Sequence, residues 1–264
     1  MRGALVTGAG KRIGRALALA LAEDDWFVFV HHNSSQAEAR ETVAAIVAAG
    51  GRAKAVRADL GSARAAAGLI ERCRSPGVVL TCLVNCASLF ELDRYHTATA
   101  DSFDRHMAVN LRAPLLLAQK LVAGLPAGES GVIVNLLDQK LWNLNPDFLT
   151  YTLSKAGLGT LTTLLAQALA PKVRVAGIAP GLTVRSGRQT EERFREVHRK
   201  NPLQLGVEPQ HLVAALRFIL ATPTYTGDTI IVDSGEHLVG RPRDVEYDPD
   251  SPTRKKPRGW GRSK

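Results

Sequence analysis

Tyr151 and Lys155 stand four residues apart in a helix-prone run, so both side chains leave the same face of a helix. A free tyrosine titrates near pH 10, too high to pass a proton easily at neutrality. A neighbouring ammonium favours the phenolate, at about 1.4 kcal/mol for each unit of pKa. The pair is therefore expected to act as a general acid, with Lys155 lowering the tyrosine. Thirteen residues before Tyr151 lies Asp138, in a segment (Ile133 to Lys140) that contains no serine. A hydroxyl there would donate to a ketone oxygen becoming an alkoxide, whereas an ionised carboxylate repels that charge. Reduction of a C=N bond makes the opposite demand, because the nitrogen gains a proton. Asp138 is thus expected to orient Tyr151 or to hold a protonated heterocycle, and it points to an imine-like substrate.

A second group of residues has the chemistry to hold an anion. The chain enters Thr7-Gly8-Ala9-Gly10-Lys11-Arg12-Ile13-Gly14 directly from an apolar run and leaves it in a helical pattern. A glycine-rich strand-to-helix turn brings backbone N–H groups and a helix N-terminus up to a pyrophosphate. At the end of the next apolar run, an NAD-binding chain usually carries an acid for the ribose hydroxyls. Here the residues are His31, His32, Asn33, Ser34 and Ser35. With no carboxylate to repel a 2′-phosphate, and with Arg12 expected to approach the same region, the cofactor is expected to be NADPH.

The elements that must position these groups show in the hydrophobic pattern. Short, nearly continuous apolar runs at 4–7, 26–30, 53–57, 81–85, 132–136, 174–178 and 229–232 have the character of strands buried on both faces of a parallel sheet. Helical periods separate them: Ile13, Leu17 and Leu21 form one stripe, and Leu158, Leu161, Leu165 and Leu169 another. Gly50-Gly51 is placed to stop the helix over 37–49. The alternation predicts a doubly wound α/β sheet of about seven strands with helices on both faces. One domain over 1–240 is expected, followed by a basic, disordered tail over 241–264.

These motifs resemble the short-chain dehydrogenase/reductase family over about residues 3–240. The resemblance is carried by the glycine turn, Ala58-Asp59-Leu60, Val84-Asn85-Cys86-Ala87, Val109-Asn110, Tyr151-x-x-x-Lys155 and Pro180-Gly181. It implies a cofactor site made of Gly8, Gly10, Arg12, Ile13, Gly14, Asn33, Ser34, Ser35, Asp59, Leu60, Asn85, Ala87, Tyr151, Lys155, Pro180 and Gly181. It further implies that Asp59 meets the adenine, that Asn110 supports a water relay to Lys155, and that Lys155 anchors the nicotinamide ribose. Two departures from the family's usual pattern, Arg12 in place of the middle glycine and Asp138 in place of serine, resemble its pteridine reductase branch, which includes dihydromonapterin- and dihydrofolate-reducing members. That branch implies Phe90 stacking the pterin against the nicotinamide, with Arg12, Ser88, Asp138 and Tyr151 as further substrate contacts. The branch often has a basic residue where this chain has Ser34.

Other features narrow the class. No run approaches the roughly 20 apolar residues of a membrane span, and because Met1 leads straight into an apolar strand-like run, no signal peptide is expected. Three cysteines (73, 82 and 86) lack metal-ligand or CxxC spacing, and reduced thiols in a cytoplasmic protein are expected. No metal site is expected, His31 and His32 included. Almost half of the net charge of +9 falls in 241–264. The basic run 254–258 with Trp260 is read as a solubilising tail rather than a nucleic-acid contact, and the arginines at 185, 188, 193, 195 and 199 as a solvated helix face. Family members usually form dimers or tetramers through the helix carrying Tyr151; here Ala156, Gly159 and Thr163 would let such helices approach. Three readings stay open: a pteridine reductase, a carbonyl or 3-oxoacyl reductase of the same family, and a non-catalytic NADPH-sensing or nucleic-acid-associated protein.

Overall fold

A computed structural model describes residues 1–185 and 189–247. Seven strands form one sheet: β1 (Arg2–Val6), β2 (Phe27–His32), β3 (Arg52–Arg57), β4 (Val79–Asn85), β5 (Gly131–Leu136), β6 (Val173–Pro180) and β7 (Thr229–Val232). All neighbours are parallel, in the order β3-β2-β1-β4-β5-β6-β7. Each apolar run read from the sequence is a strand; the differences are at the ends. β2 continues through His31 and His32 because these pair with Val56 and Arg57 of β3.

The helices are α1 (Arg12–Glu23), α2 (Gln36–Ala48), α3 (Ala63–Ala67), α4 (Leu69–Arg72), α5 (Ala100–Met107), α6 (Ala113–Gly124), α7 (Leu149–Leu169), α8 (Glu191–Val197) and α9 (Pro209–Ala221). Strand alternation divides the core between the two faces of the sheet. Ala4 and Val6 of β1 join a cluster with Leu17 and Leu21 of α1 and with Leu212, Leu216 and Ile219 of α9. Leu5 joins the opposite cluster with Leu69, Leu117, Leu121 and Val175. α2 ends as expected: Gly50, at φ +86°, donates to the Val47 carbonyl and Gly51 to that of Ile46, which satisfies two carbonyls left open by the helix.

The order of strands reverses direction between β1 and β4, the switch point at whose strand carboxyl ends open α/β sheets bind ligands. One sequence expectation is corrected at the far end of the chain. Residues 241–247 do not trail away: Arg243 and Asp244 are bonded to Asp147, and Val245–Tyr247 forms a short 3-10 turn. Charge pairing orders this segment in place of apolar burial, so the hydrophobic pattern gave no sign of it. Residues 248–264, including the basic run and Trp260, lie outside the described residues, as does Arg188.

Candidate active site

The glycine turn is fixed by close contacts that exclude a side chain. Gly8 has φ +66°, and a Cβ there would lie 2.9 Å from Ala87 Cα; one at Gly14 would lie 2.3 Å from the Gly8 carbonyl oxygen. α1 therefore starts hard against the turn, Ile13 packing on the core beside Gly14. Two residues outside the expected site lock this arrangement. The Thr7 hydroxyl accepts from Cys86 N–H (2.9 Å) and Ala87 N–H (3.0 Å), tying β1 to β4 at the switch point. His31 Nδ1 accepts from Gly8 N–H at 3.1 Å, so its Nε2–H donates to the Ala58 carbonyl at 3.1 Å. Burial pushes this imidazole down to about 4, and as a neutral ring it joins the ends of β1, β2 and β3.

The remaining cofactor candidates cluster along the same strand ends. Asn33 Nδ2 lies 3.5 Å from Asp59 Oδ1, which also accepts from Gly61 N–H; Leu60 is buried beside it, and Ser34 and Ser35 lead into α2. Asn85 donates to Asn135 at 2.8 Å, and its own Oδ1 is buried with no hydrogen-bond partner among the described residues. Gly181 donates to Val232, and a Cβ at Gly181 would come within 2.8 Å of Asp233. A backbone cradle, an unpartnered amide oxygen at the strand ends and the absence of an acid in 31–35 fit a phosphorylated dinucleotide.

Arg12 carries two expectations, as a cofactor contact and as a substrate contact. Its backbone adopts φ +58°, the left-handed region that glycine occupies at lower cost, and its Nη2 reaches the Val184 carbonyl at 3.5 Å. The guanidinium thus crosses to the side of Pro180 and Gly181 instead of lying over Asn33 to Ser35.

At the chemical centre, β5 delivers Asp138 and the start of α7 delivers Tyr151 and Lys155. Tyr151 Oη donates to Asp138 Oδ2 at 2.7 Å, while Asp138 Oδ1 accepts from Lys140 N–H at 2.9 Å. Burial raises the Asp138 carboxyl despite these bonds and the nearby lysines. Burial, followed by the charge of Asp138, drives Tyr151 well above its ordinary value. The expected lowering by Lys155 does not show in this structure: burial first and the charge of Asp138 second raise the tyrosine, while the Lys155 ammonium is bonded to the Leu136 carbonyl at 2.6 Å. Burial holds Lys155 itself down to about 8. Asp138 and Tyr151 are thus buried together and directly hydrogen-bonded.

Asn110 lies in a π turn (Ala108–Arg112), a distortion frequent at functional sites. Nδ2 donates to the Leu89 carbonyl and Ser154 Oγ, both at 2.9 Å; Oδ1 accepts from Leu89 N–H (2.8 Å) and Ser88 Oγ (3.3 Å). The amide's donors and acceptors are all engaged. The Asn110 side chain thus ties the Ser88–Phe90 loop to α7, and the Ser88 hydroxyl joins the same contact.

Phe90 is exposed at the site, stacked on Phe148 (4.2 Å between centroids, 15° between planes) and edge-on to Tyr151 (4.6 Å). Phe148, at φ +57°, starts α7. Asp93 caps the same helix, accepting from Thr150 N–H at 3.0 Å and Thr150 Oγ1 at 2.5 Å. Buried beside them, His106 is bonded to Thr150 Oγ1 and the Ser102 carbonyl, both at 2.8 Å. Glu236 sits under Gly181, accepts from Leu182 N–H at 3.3 Å and is pushed up by burial to about 7. Sequence reasoning missed Thr7, His31, Asp93, Asp147, Phe148 and Glu236. Only His31, a polar residue at the end of a strand buried on both faces, carried a signal of its own.

The sequence model described as short chain dehydrogenase matches residues 2–196. An uncharacterised oxidoreductase of Methylorubrum extorquens is 34% identical over 88% of this chain and 96% of its own length. A 3-oxoacyl-[acyl-carrier-protein] reductase of Synechocystis is 30% identical over 88% and 95%. Among solved structures, FolM alternative dihydrofolate reductase 1 from Brucella suis, in complex with NADP, superposes with a TM-score of 0.87 at 39% identity, covering 90% of this chain and 96% of that one. The angucycline C-6 ketoreductase LanV with bound NADP gives 0.83 at 30% identity, covering 90% and 96%.

Proposed function

Because the chain belongs to the short chain dehydrogenase family, we propose that this oxidoreductase uses NADPH to reduce a C=N bond of a pteridine, taking a dihydropterin or dihydrofolate to its tetrahydro form. The observation that carries the reading is the 2.7 Å bond from Tyr151 to Asp138, a carboxyl where ketone reduction calls for a hydroxyl donor. The likeness to a dihydrofolate reductase crystallised with NADP supports both substrate class and cofactor.

The turn Gly8, Gly10, Arg12, Ile13 and Gly14 would hold the diphosphate, Asn33, Ser34 and Ser35 the 2′-phosphate, and Asp59 and Leu60 the adenine. Asn85, Ala87, Pro180, Gly181 and Lys155 would hold the nicotinamide riboside. When bound, NADPH supplies the hydride. The chain's own part is the proton. Tyr151 would turn its hydroxyl from Asp138 Oδ2 to the substrate nitrogen and give up that proton, while an Asp138 carrying a proton of its own would donate it to the tyrosine oxygen. The carboxylate left on Asp138 is stabilised by Lys140 N–H and Lys155. No phenolate is left facing a carboxylate, and the raised values of both groups suit this order of events. Phe90 offers its exposed face to a flat ring.

A second reading, reduction of a carbonyl, is favoured by the 3-oxoacyl reductase and ketoreductase relatives. The test is loss of NADPH absorbance with dihydrobiopterin, dihydromonapterin, dihydrofolate and a ketone panel. Pterin turnover that Asp138→Ser abolishes and ketone turnover absent in both proteins would bear out the first reading; ketone turnover alone would replace it with the second. Tyr151→Phe is expected to cut kcat by about 10²–10⁴ with NADPH affinity kept, and full turnover in that variant would overturn the proton route.

A further inference from the structure

The segment 241–247 is a wall of the substrate site, and Asp147 is the residue that positions it; this we infer from one hub and its consequences. Asp147 is fully buried. Its carboxylate accepts from Arg94 Nε at 2.7 Å, from Arg243 Nε and Nη2 at 2.7 and 2.8 Å, and from Asp244 N–H at 3.0 Å. Three distant stretches of chain meet there: the loop that carries Phe90, the loop that joins Asp138 to α7, and the C-terminal segment.

What the hub holds is aromatic and faces the catalytic pair. Phe148 follows Asp147 directly and stacks on Phe90, whose edge meets Tyr151. Tyr247 lies 6.2 Å from the Phe148 ring, with the guanidinium of Arg94 at 5.3 Å and that of Arg243 at 5.8 Å from its own. Asp244 meets Lys140 Nζ at 3.3 Å, and Lys140 also bonds Asn145 at 2.6 Å. The loop leaving Asp138 is therefore clamped to the same segment.

The segment also holds the excursion after β6. Gln189 Nε2 donates to Glu246 at 2.7 Å, and Arg193 of α8 donates to the Val245 carbonyl at 2.8 Å and that of Glu246 at 3.3 Å. Arg193 is thus a contact of the segment and not part of a solvated face. Residues 241–247 lie between α8 and the catalytic loop, and Tyr247 extends the line of rings begun by Phe90 and Phe148. A planar, conjugated substrate is the class such a line of rings selects, with the cofactor site on the other side of the catalytic pair left untouched.

The inference rests on the catalytic centre and not on the choice of pterin over ketone, and its test uses whichever substrate the full-length enzyme turns over. Tyr247→Ala, Tyr247→Phe and Asp147→Asn would be compared for KM, kcat, NADPH affinity by fluorescence titration, and Tm. Expected are a KM raised about tenfold by Tyr247→Ala and by Asp147→Asn, kcat within threefold, NADPH Kd within twofold, and a near wild-type KM for Tyr247→Phe. An unchanged KM in Tyr247→Ala, or a loss of NADPH affinity in step with KM, would overturn it. Should Asp147→Asn not fold, the Tyr247 pair decides. Absence of pterin turnover would count against the proposed function alone.

Discussion

At the scale of single residues, environment decides role more than residue type. Tyr151 looks like a tyrosine activated by a lysine, yet its hydroxyl donates to the Asp138 carboxyl, and in the proposed reaction it would act as a phenol beside that group. Arg12 shows the same effect in the backbone. An arginine at φ +58° bears a cost of about 1–2 kcal/mol that glycine would not. Arg12→Gly is therefore expected to raise stability by about 1 kcal/mol while raising KM, since the guanidinium that reaches Val184 is lost. Chemical denaturation and steady-state kinetics on one preparation check both; a gain in stability with unchanged KM would remove Arg12 from the substrate site.

At the scale of elements, the site depends on how strand ends and one helix start are pinned. α7 carries Tyr151 and Lys155, and its first turn is capped from outside by Asp93. Burial alone would raise this carboxyl, but the bonds from Thr150 and Ser102 hold it below its ordinary value. Removing it leaves buried donors unsatisfied, at about 1–3 kcal/mol. Asp93→Ala is expected to lower stability by that much and kcat with it; a kcat unchanged at the lower stability would separate the cap from catalysis. His31 pins three strands in its neutral form. Its folded-state value of about 4 lies below the ordinary 6.5, so the unfolded chain takes up the proton first as pH falls. Its contribution is whole above about pH 6.5 and is lost progressively towards pH 4, at up to about 3 kcal/mol. Denaturation midpoints across this range should show that slope, and His31→Asn should flatten it.

At the scale of the whole molecule, the outer face of α7 is unusual. Lys155 is the one charged residue in the helix and it is buried, while Leu153 and Leu164 are exposed. A groove of about 300 Å³ lies between α6 and α7, lined by Ala118, Val122, Leu165 and Leu169. Of the small residues expected on this face, Ala156 and Thr163 are exposed, but Gly159 turns inward toward Leu141. We propose that a second copy covers the face. Sedimentation is expected to show a dimer or tetramer that Leu164→Glu shifts toward monomer; a wild-type monomer at micromolar concentration would end the idea. No helix among the described residues is long and apolar enough to cross a membrane.

The sequence by itself determined the order of strands and helices, the glycine turn and the tyrosine–lysine pair. Each is a local matter: burial on both faces writes a continuous apolar run, a tight turn demands glycine, and a four-residue helical step sets one face. The pairing of Asp138 with Tyr151 was also expected, but its 2.7 Å contact and the burial that raises both groups come only from packing β5 against α7. The same holds for Asn110, whose amide is consumed by partners from two other segments, and for Asp147, whose cations come from residues 94 and 243. Ion pairs and capping carboxylates between distant segments follow no period along the chain. They appear when the sheet brings its strand ends to one side, and in this protein they hold the wall and the helix start on which the chemistry depends.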